Sequence, residues 1–465
     1  MKTQETITLL RDYESRNVLF TEPDGSWPIV WERAQGVHVW DAEGEKYLDL
    51  TAAFGVAAAG HANTKVVRAG QRQMAKLLHA MGDVHPHALK AQLAHKLSRL
   101  TFERWSRLTP HASRLTGKVI FSNSGFEAVE SALKTAMLAT GKRGVIAFEG
   151  AYHGLGYGAL NATHREHFRS PFRSQLRQFG HFVPFPSSPS SRRREEAHSE
   201  NRKSEIGNRK CSEPPHVGCY EVEERIRQLF RREKIGAILV EPIQARGGCN
   251  IPPPEFLPLL RKLCDEHGAL LILDEIYTGF GRTGKWFACE HSGVVPDLIC
   301  LGKALTGGFP LSACVGRADG MDAAWPASNG EAIHTSTFLG HPVGCAMALA
   351  QIKEIQRLKL CGRSAALGKF LLNELASIPN SKFQIQNSAR GCGLMAGVEL
   401  TLPNGKPATE VALHAIKQLL HRGYIFLPEG EHGNIISFTP PLTITKAQLT
   451  QAVAALKKVL TTDEH

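Results

Sequence analysis

The sequence predicts an α/β protein: a large domain on a mostly parallel sheet covered on both faces, and a smaller α+β domain. Three observations predict this. Short uncharged apolar runs alternate with amphipathic helical patterns through the middle of the chain. Polar residues cluster immediately after those runs. The last stretch, 341–465, changes character, with helices flanking a glycine-rich strand.

Taken in order, Val37-His-Val-Trp-Asp and Lys46-Tyr-Leu-Asp-Leu read as a hairpin, in a segment 1–60 that joins the small domain. The large domain is expected over 61–340. Its buried strands are Val119-Ile-Phe121, Val145-Ile-Ala-Phe148, Ala237-Ile-Leu-Val240, Leu270-Leu-Ile-Leu273 and Leu298-Ile-Cys-Leu301. Between the third and fourth, Phe256, Leu257, Leu260, Leu263 and Cys264 recur at three- and four-residue steps, which predicts a helix from about Pro254 to His267. Pro254 suits its first turn and Gly268 its stop. The stretch Ser187–Pro215 has almost no apolar residues and reads as a solvated insertion. In the small domain, helices are expected at Val343–Gln356, Ser364–Ala376, Glu410–Arg422 and Lys446–Leu460, with one strand over Arg390–Leu400.

Composition narrows the function classes. Of 465 residues, 42% are hydrophobic and 21% charged, an ordinary globular balance that excludes global disorder. The apolar runs fall far short of the ~20 residues of a membrane helix. Met1–Glu5 is polar and no apolar secretory region follows it. The ten cysteines form no C-x-x-C pair and no zinc spacing, so free thiols in a reducing cytoplasm are expected. A net charge of +11 suits anionic ligands, and no nucleic-acid module accompanies it.

In a parallel sheet of this kind ligands sit at the carboxyl ends of the strands. Ser122-Asn-Ser-Gly, Glu149-Gly-Ala-Tyr-His, Glu241-Pro-Ile-Gln and Asp274-Glu all occupy such ends and point to one crevice. Lys303, between small residues after a strand, can approach an aldehyde and form a Schiff base. Asp274 is a buried carboxylate in need of a partner, which the protonated ring nitrogen of pyridoxal phosphate would supply. No His or further acid stands at a spacing that would make it a metal ligand. Ser124, Gly125 and Phe126 open a helix, where backbone N–H groups form an anion cradle. The ring of Tyr152 can stack on a planar heterocycle. Gly154-Leu-Gly-Tyr-Gly158 lacks the spacing of a dinucleotide loop.

Together, Asn123-Ser-Gly-Phe-Glu-Ala-Val-Glu130, Tyr152-His-Gly154, Glu241-Pro-Ile-Gln244, Asp274-Glu-Ile-Tyr-Thr-Gly-Phe-Gly-Arg-Thr-Gly284, Gly302-Lys303 and His334-Thr-Ser-Thr-Phe338 resemble the class III pyridoxal-phosphate-dependent aminotransferases over residues 20–460, insertion aside. This group includes the acetylornithine, ornithine and 4-aminobutyrate enzymes. The resemblance implies fold type I with a sheet of the seven-stranded type, and a homodimer with active sites at its interface. It implies that Lys303 carries pyridoxal 5'-phosphate as a Schiff base and that Asp274 pairs with the ring nitrogen. Tyr152 would stack on the ring. Ser124, Gly125 and Phe126 would bind the phosphate, with Thr337 reaching it from the neighbouring subunit. His153 and Glu241 would belong to the cofactor surround.

Three departures from the family stand out. Tyr277 stands where many relatives have Gln, and its hydroxyl could bond the cofactor's ring oxygen. Ala245-Arg246 replaces Gly-Glu, and Ser437 replaces the Arg that binds a substrate carboxylate in the ornithine and 4-aminobutyrate enzymes. Arg246 is therefore expected to bind the carboxylate, since guanidinium matches it with two parallel hydrogen bonds. The other reading is that Arg246 pairs with a nearby acid and the substrate is an amine poor in carboxylates. The expected reaction moves an amino group from an amino acid or omega-amine to a 2-oxo acid. Racemases or epimerases, aminomutases and a decarboxylase share the fold, and a basic binding protein without catalysis is the rival from another class.

Overall fold

The computed structural model describes residues 1–22, 25, 27–108, 115–186, 217–378 and 388–461; the insertion Ser187–Pro215 lies outside them. The large sheet has seven strands: β1 (Gly117–Ser122), β2 (Gly144–Phe148), β3 (Gly180–Val183), β4 (Ile235–Val240), β5 (Leu270–Asp274), β6 (Leu298–Leu301) and β7 (Ser312–Arg317). Their order is β1-β7-β6-β5-β4-β2-β3. All neighbours are parallel except β7, which runs antiparallel between β1 and β6. Every residue of β2, β4 and β6 is buried, as covering on both faces requires.

The apolar spacing between β4 and β5 forms the helix Phe256–His267, and it buries the five residues whose periodicity predicts it. Gly268 ends the helix in the left-handed conformation, φ +58°, with its N–H on the Cys264 carbonyl. Pro254 precedes the helix by two residues rather than sitting in its first turn. Truncating Leu260, which is fully buried, would cost roughly 2–5 kcal/mol.

Two smaller sheets flank the large one. Trp31–Gln35, His38–Asp41 and Lys46–Asp49 form an antiparallel meander, and Tyr424–Ile425 joins it in parallel, so the two ends of the chain meet. The expected single strand at Arg390–Leu400 is instead a hairpin, Ala389–Gly391 paired with Ala396–Glu399. Gly393, at φ +59°, makes the turn, and Cys392 N–H closes on the Met395 carbonyl. This hairpin continues through Ile435–Phe438 to Leu427–Glu429. Arg282, fully buried, donates from Nη1 to the carbonyls of Leu394 (2.9 Å) and Pro440 (2.6 Å), tying this sheet to the loop after β5.

Candidate active site

The carboxyl ends of β2, β4, β5 and β6 open into a cavity of about 420 Å³, lined in part by Tyr152, His153, Glu241, Arg246, Asp274, Tyr277 and Lys303. Gly125 and Phe126, after β1, line its edge. Residues that follow β1, β2, β4, β5 and β6 thus meet in one cavity. Ser124 stands one residue behind, its hydroxyl donating to Glu127 Oε2 at 2.8 Å and its carbonyl accepting from Ser312 Oγ at 2.6 Å. Thr337 is exposed and does not line the cavity of its own chain.

Asp274 ends β5 and is buried. Its Oδ2 lies 2.8 Å from His153 Nδ1, and its Oδ1 accepts the Ile276 N–H at 3.1 Å. His153 therefore acts on the carboxylate directly, a contact its place in the motif does not reveal. Glu241, at the end of β4, accepts the N–H groups of Tyr152 (3.0 Å) and Ala245 (3.1 Å). Burial pushes its carboxyl up to about 7, against the pull of His153. Glu241 thereby anchors the backbone carrying the Tyr152 ring and the backbone carrying Arg246.

Lys303 follows β6 at φ +44°, a left-handed conformation unfavourable for a side chain with a Cβ. Its Nζ lies 4.1 Å from the centre of the Tyr277 ring. Burial lowers its pKa to about 8, although Asp274, Glu241 and Glu429 draw it back up. The Tyr277 hydroxyl, expected to face the cofactor's ring oxygen, is bonded at 3.1 Å to Thr439 Oγ1. It is the ring, not the hydroxyl, that faces the amine.

The helix Gly125–Thr140 starts at the cavity edge. Its first N–H groups have no intrahelical acceptor. Ahead of the helix the Glu127 carboxylate accepts the N–H groups of Asn123 (3.1 Å) and Ser124 (2.7 Å), and the first helical residues, Gly125 and Phe126, stand at the opening. Gly154 lets the Tyr152 loop pass over this helix start, since a Cβ on it would fall 2.3 Å from Phe126 Cβ.

Arg246 stacks over the Tyr152 ring, Cζ 4.9 Å from its centre. Its Nε lies 3.8 Å from Oε2 of Glu429, a buried acid at the end of Leu427–Glu429 that the sequence did not single out. Nothing periodic marks Glu429; the pairing of its strand with Ile435–Phe438 and the 3.8 Å approach to Arg246 place it beside that residue. Ser437 is buried and donates to the Leu427 carbonyl at 3.2 Å.

The donor set fits pyridoxal phosphate. The cavity is lined by the Tyr152 ring, the buried Asp274 carboxylate, the Lys303 amine and the helix start at Gly125 and Phe126. Among the described residues no group of three or more His, Cys, Asp or Glu side chains could hold a metal ion.

Known proteins resemble this chain in sequence and in fold. The sequence profile of the family described as Aminotransferase class-III matches residues 20–460. The chain is 34% identical to the acetylornithine aminotransferase of Methanosarcina mazei, covering 96% of this chain and 95% of that one. It is 36% identical to the 5-aminovalerate aminotransferase of Pseudomonas aeruginosa, covering 92% of each. A PLP-bound amine transaminase from an uncultivated Pseudomonas species superposes with a TM-score of 0.82 at 26% identity, covering 96% of this chain and 98% of that one.

Proposed function

We propose, from the premise that this chain belongs to the class III aminotransferases and therefore works with pyridoxal phosphate, that Lys303 is the residue that holds the cofactor and moves the reacting proton. The enzyme transfers an amino group from a donor to a 2-oxo acid. The observation that carries the residue assignment is the single cavity shared by Lys303, Asp274, Tyr152 and the helix start at Gly125.

Bound there, pyridoxal phosphate supplies an aldehyde that exchanges with amines and a ring that accepts the electron pair left by a departing proton. Asp274 would face the ring nitrogen and keep it protonated. His153 and the Ile276 N–H hold that carboxylate from behind, so its aim does not depend on substrate. Tyr152 would cover one ring face, and the N–H groups of Gly125 and Phe126, beside Ser124, would hold the phosphate. Lys303 Nζ would serve as the general base that takes the substrate's proton and the general acid that returns it. Its pKa of about 8 leaves enough neutral amine near neutrality for this work. Arg246 would receive the carboxylate of the acceptor, consistent with an Nε that is buried and without a hydrogen-bond partner.

The donor would be the primary amine of an amino acid or an omega-amine, as in the names of the relatives. We place the enzyme in the cytoplasm as a homodimer, with Thr337 of each subunit reaching the other's phosphate site. We also divide the chain into the joining segment 1–60, the cofactor domain 61–340 and the small domain 341–465.

Two variants test this reading. Lys303→Ala should still bind cofactor but lose turnover by roughly 10²–10⁴-fold or more. Added donor alone should release one equivalent of carbonyl product per site from the wild type and none from the variant. Arg246→Ala should raise KM for the 2-oxo acid by about tenfold or more. An unchanged KM would leave Arg246 as the partner of Glu429 only.

A further inference from the structure

The loop that carries Thr337 is tied to its own chain's phosphate helix by one histidine. His334 stands three residues before Thr337. Its Nδ1 lies 3.0 Å from Lys134 Nζ and its Nε2 3.0 Å from Ser131 Oγ, both on the helix Gly125–Thr140. The Trp325 ring lies against the imidazole, with centroids 5.8 Å apart and planes at 31°. Trp325 Nε1 in turn donates to Thr135 Oγ1 at 3.0 Å. Lys134 and Thr135 follow Ser131 by three and four residues, so these contacts fall on one helix face. His334 is not part of the cofactor cavity's lining; it borders a separate crevice of about 260 Å³ that shares Phe126 with that cavity.

The partners dictate which ring nitrogen holds the proton. A lysine ammonium has donors only, so Nδ1 accepts from Lys134. The Ser131 hydroxyl gives its hydrogen to the Glu127 carbonyl at 2.9 Å, so it accepts from Nε2–H. The result is a directed chain, from Lys134 through His334 and Ser131 to Glu127, and it requires a neutral imidazole protonated at Nε2. Burial and the Lys134 ammonium push the His334 pKa down, against the pull of Glu130 and Glu127, which favours that neutral form. The chain ends on the residue whose carboxylate accepts the N–H groups of Asn123 and Ser124, just ahead of the phosphate cradle.

Beyond His334 the loop is gripped from another side. The Thr335 hydroxyl donates to Asp83 Oδ2 at 2.8 Å, and His87 Nε2 lies 2.7 Å from the Gly340 carbonyl. Thr337 therefore stands at the crest of a loop held at both ends, with His334 supplying the tie to the phosphate helix. We propose that His334 is a positioning residue for the cofactor: it sets the loop 334–338 against its own chain's helix so that Thr337 meets the phosphate bound in the neighbouring subunit. The inference rests on the reading of Thr337 given above. One side chain thereby couples two sites, since the helix that cradles one phosphate orients the hydroxyl that serves the other.

The test titrates the cofactor-free chain with pyridoxal 5'-phosphate and with pyridoxal, which lacks the phosphate, at a concentration where every variant sediments as the wild type does. His334→Ala should raise Kd for pyridoxal phosphate by about threefold or more, and by no more than Thr337→Ala does, while pyridoxal stays within about twofold. In a Thr337→Ala background the same substitution should change Kd by less than about twofold, because both residues act through one contact. His334→Gln, whose amide can still donate to Ser131, should recover most of the affinity. Ser131→Ala removes the acceptor without touching the loop; it should repeat the loss, and it carries the test if His334→Ala folds poorly. Equal losses for the two ligands, losses that add in full to Thr337→Ala, or no recovery by Gln overturn the inference. If Thr337→Ala weakens pyridoxal phosphate binding while His334→Ala and Ser131→Ala do not, the inference alone falls. If Thr337→Ala binds pyridoxal phosphate as the wild type does, the reading of Thr337 falls and takes the inference with it.

Discussion

Lys303 shows how burial sets reactivity at one atom. Desolvation disfavours its ammonium, and the neighbouring acids Asp274, Glu241 and Glu429 offset only part of that, leaving a pKa of about 8. Only the neutral amine attacks an aldehyde. Capture of pyridoxal phosphate by the cofactor-free protein should therefore speed up about tenfold per pH unit below pH ~8 and level off above it. Stopped-flow absorbance between pH 6 and 9.5 reads this directly, and a flat profile would contradict it. Glu241 gives the opposite case. Its carboxyl, pushed up to about 7 by burial, binds a proton in the folded state over a range where the unfolded chain has already released it. Stability should then fall as pH rises from about 4.5 to 7, by on the order of 3 kcal/mol, and stay level above. Glu241→Gln has no such proton to lose. Melting of the two cofactor-free proteins should converge toward acid or cross there, the wild type falling relative to the variant as pH rises; parallel curves would exclude the effect.

At the scale of elements, what the sequence made legible was what local pattern encodes. Five strands stood out as uncharged apolar runs, and each site residue just past a strand end came with its strand. That is why Asp274, Glu241, Tyr152 and Lys303 could be named together from sequence. β7, Ser312-Ala-Cys-Val-Gly-Arg317, went unread because small and polar residues fill a slot between β1 and β6 where little volume is left. The hairpin at Ala389–Glu399 read as one strand because its tight turn, Cys392–Met395, lies inside a continuous run of glycine and apolar residues. Glu429 was invisible because its position depends on strand pairing far from the motifs. The crossing of the Tyr152 loop over the helix start is a further contact set by two elements at once. Gly154 has φ +108° and sits against Phe126, so Gly154→Ala incurs both backbone strain and a clash at 2.3 Å. A loss of roughly 1–3 kcal/mol is expected. Because the displaced parts are the ring-covering and phosphate-binding elements, cofactor affinity should drop along with melting temperature. A variant that melts lower yet binds pyridoxal phosphate as the wild type does would show that the crossing is structural only.

At the scale of the whole molecule, one exposed apolar face fits the proposed second copy. Leu78, Met81, Val84, Ile333 and Phe338 are each more than half exposed. Their two segments are joined by the Thr335 hydroxyl on Asp83 (2.8 Å), the His79 and Phe338 rings (5.4 Å) and His87 on the Gly340 carbonyl (2.7 Å). A contiguous apolar face of this kind is characteristic of an interface. Thr337 lies in the same segment, exposed and outside the lining of its own chain's cavity, as the proposed role in a neighbour's site requires. The proposed dimer thus makes two separable demands. Leu78→Glu with Ile333→Glu places acids in an apolar contact, which should weaken association by roughly 10²-fold or more. Sedimentation equilibrium should show the wild type at about twice the mass of the chain and the variant shifted to monomer, with cofactor retention falling as the partner's Thr337 is lost. Thr337→Ala alone should weaken phosphate binding by several-fold, the value of one hydrogen bond to a charged group, without changing the mass. A wild-type chain that sediments as a monomer while retaining cofactor would remove both the interface and the proposed role of Thr337 in a neighbour's site.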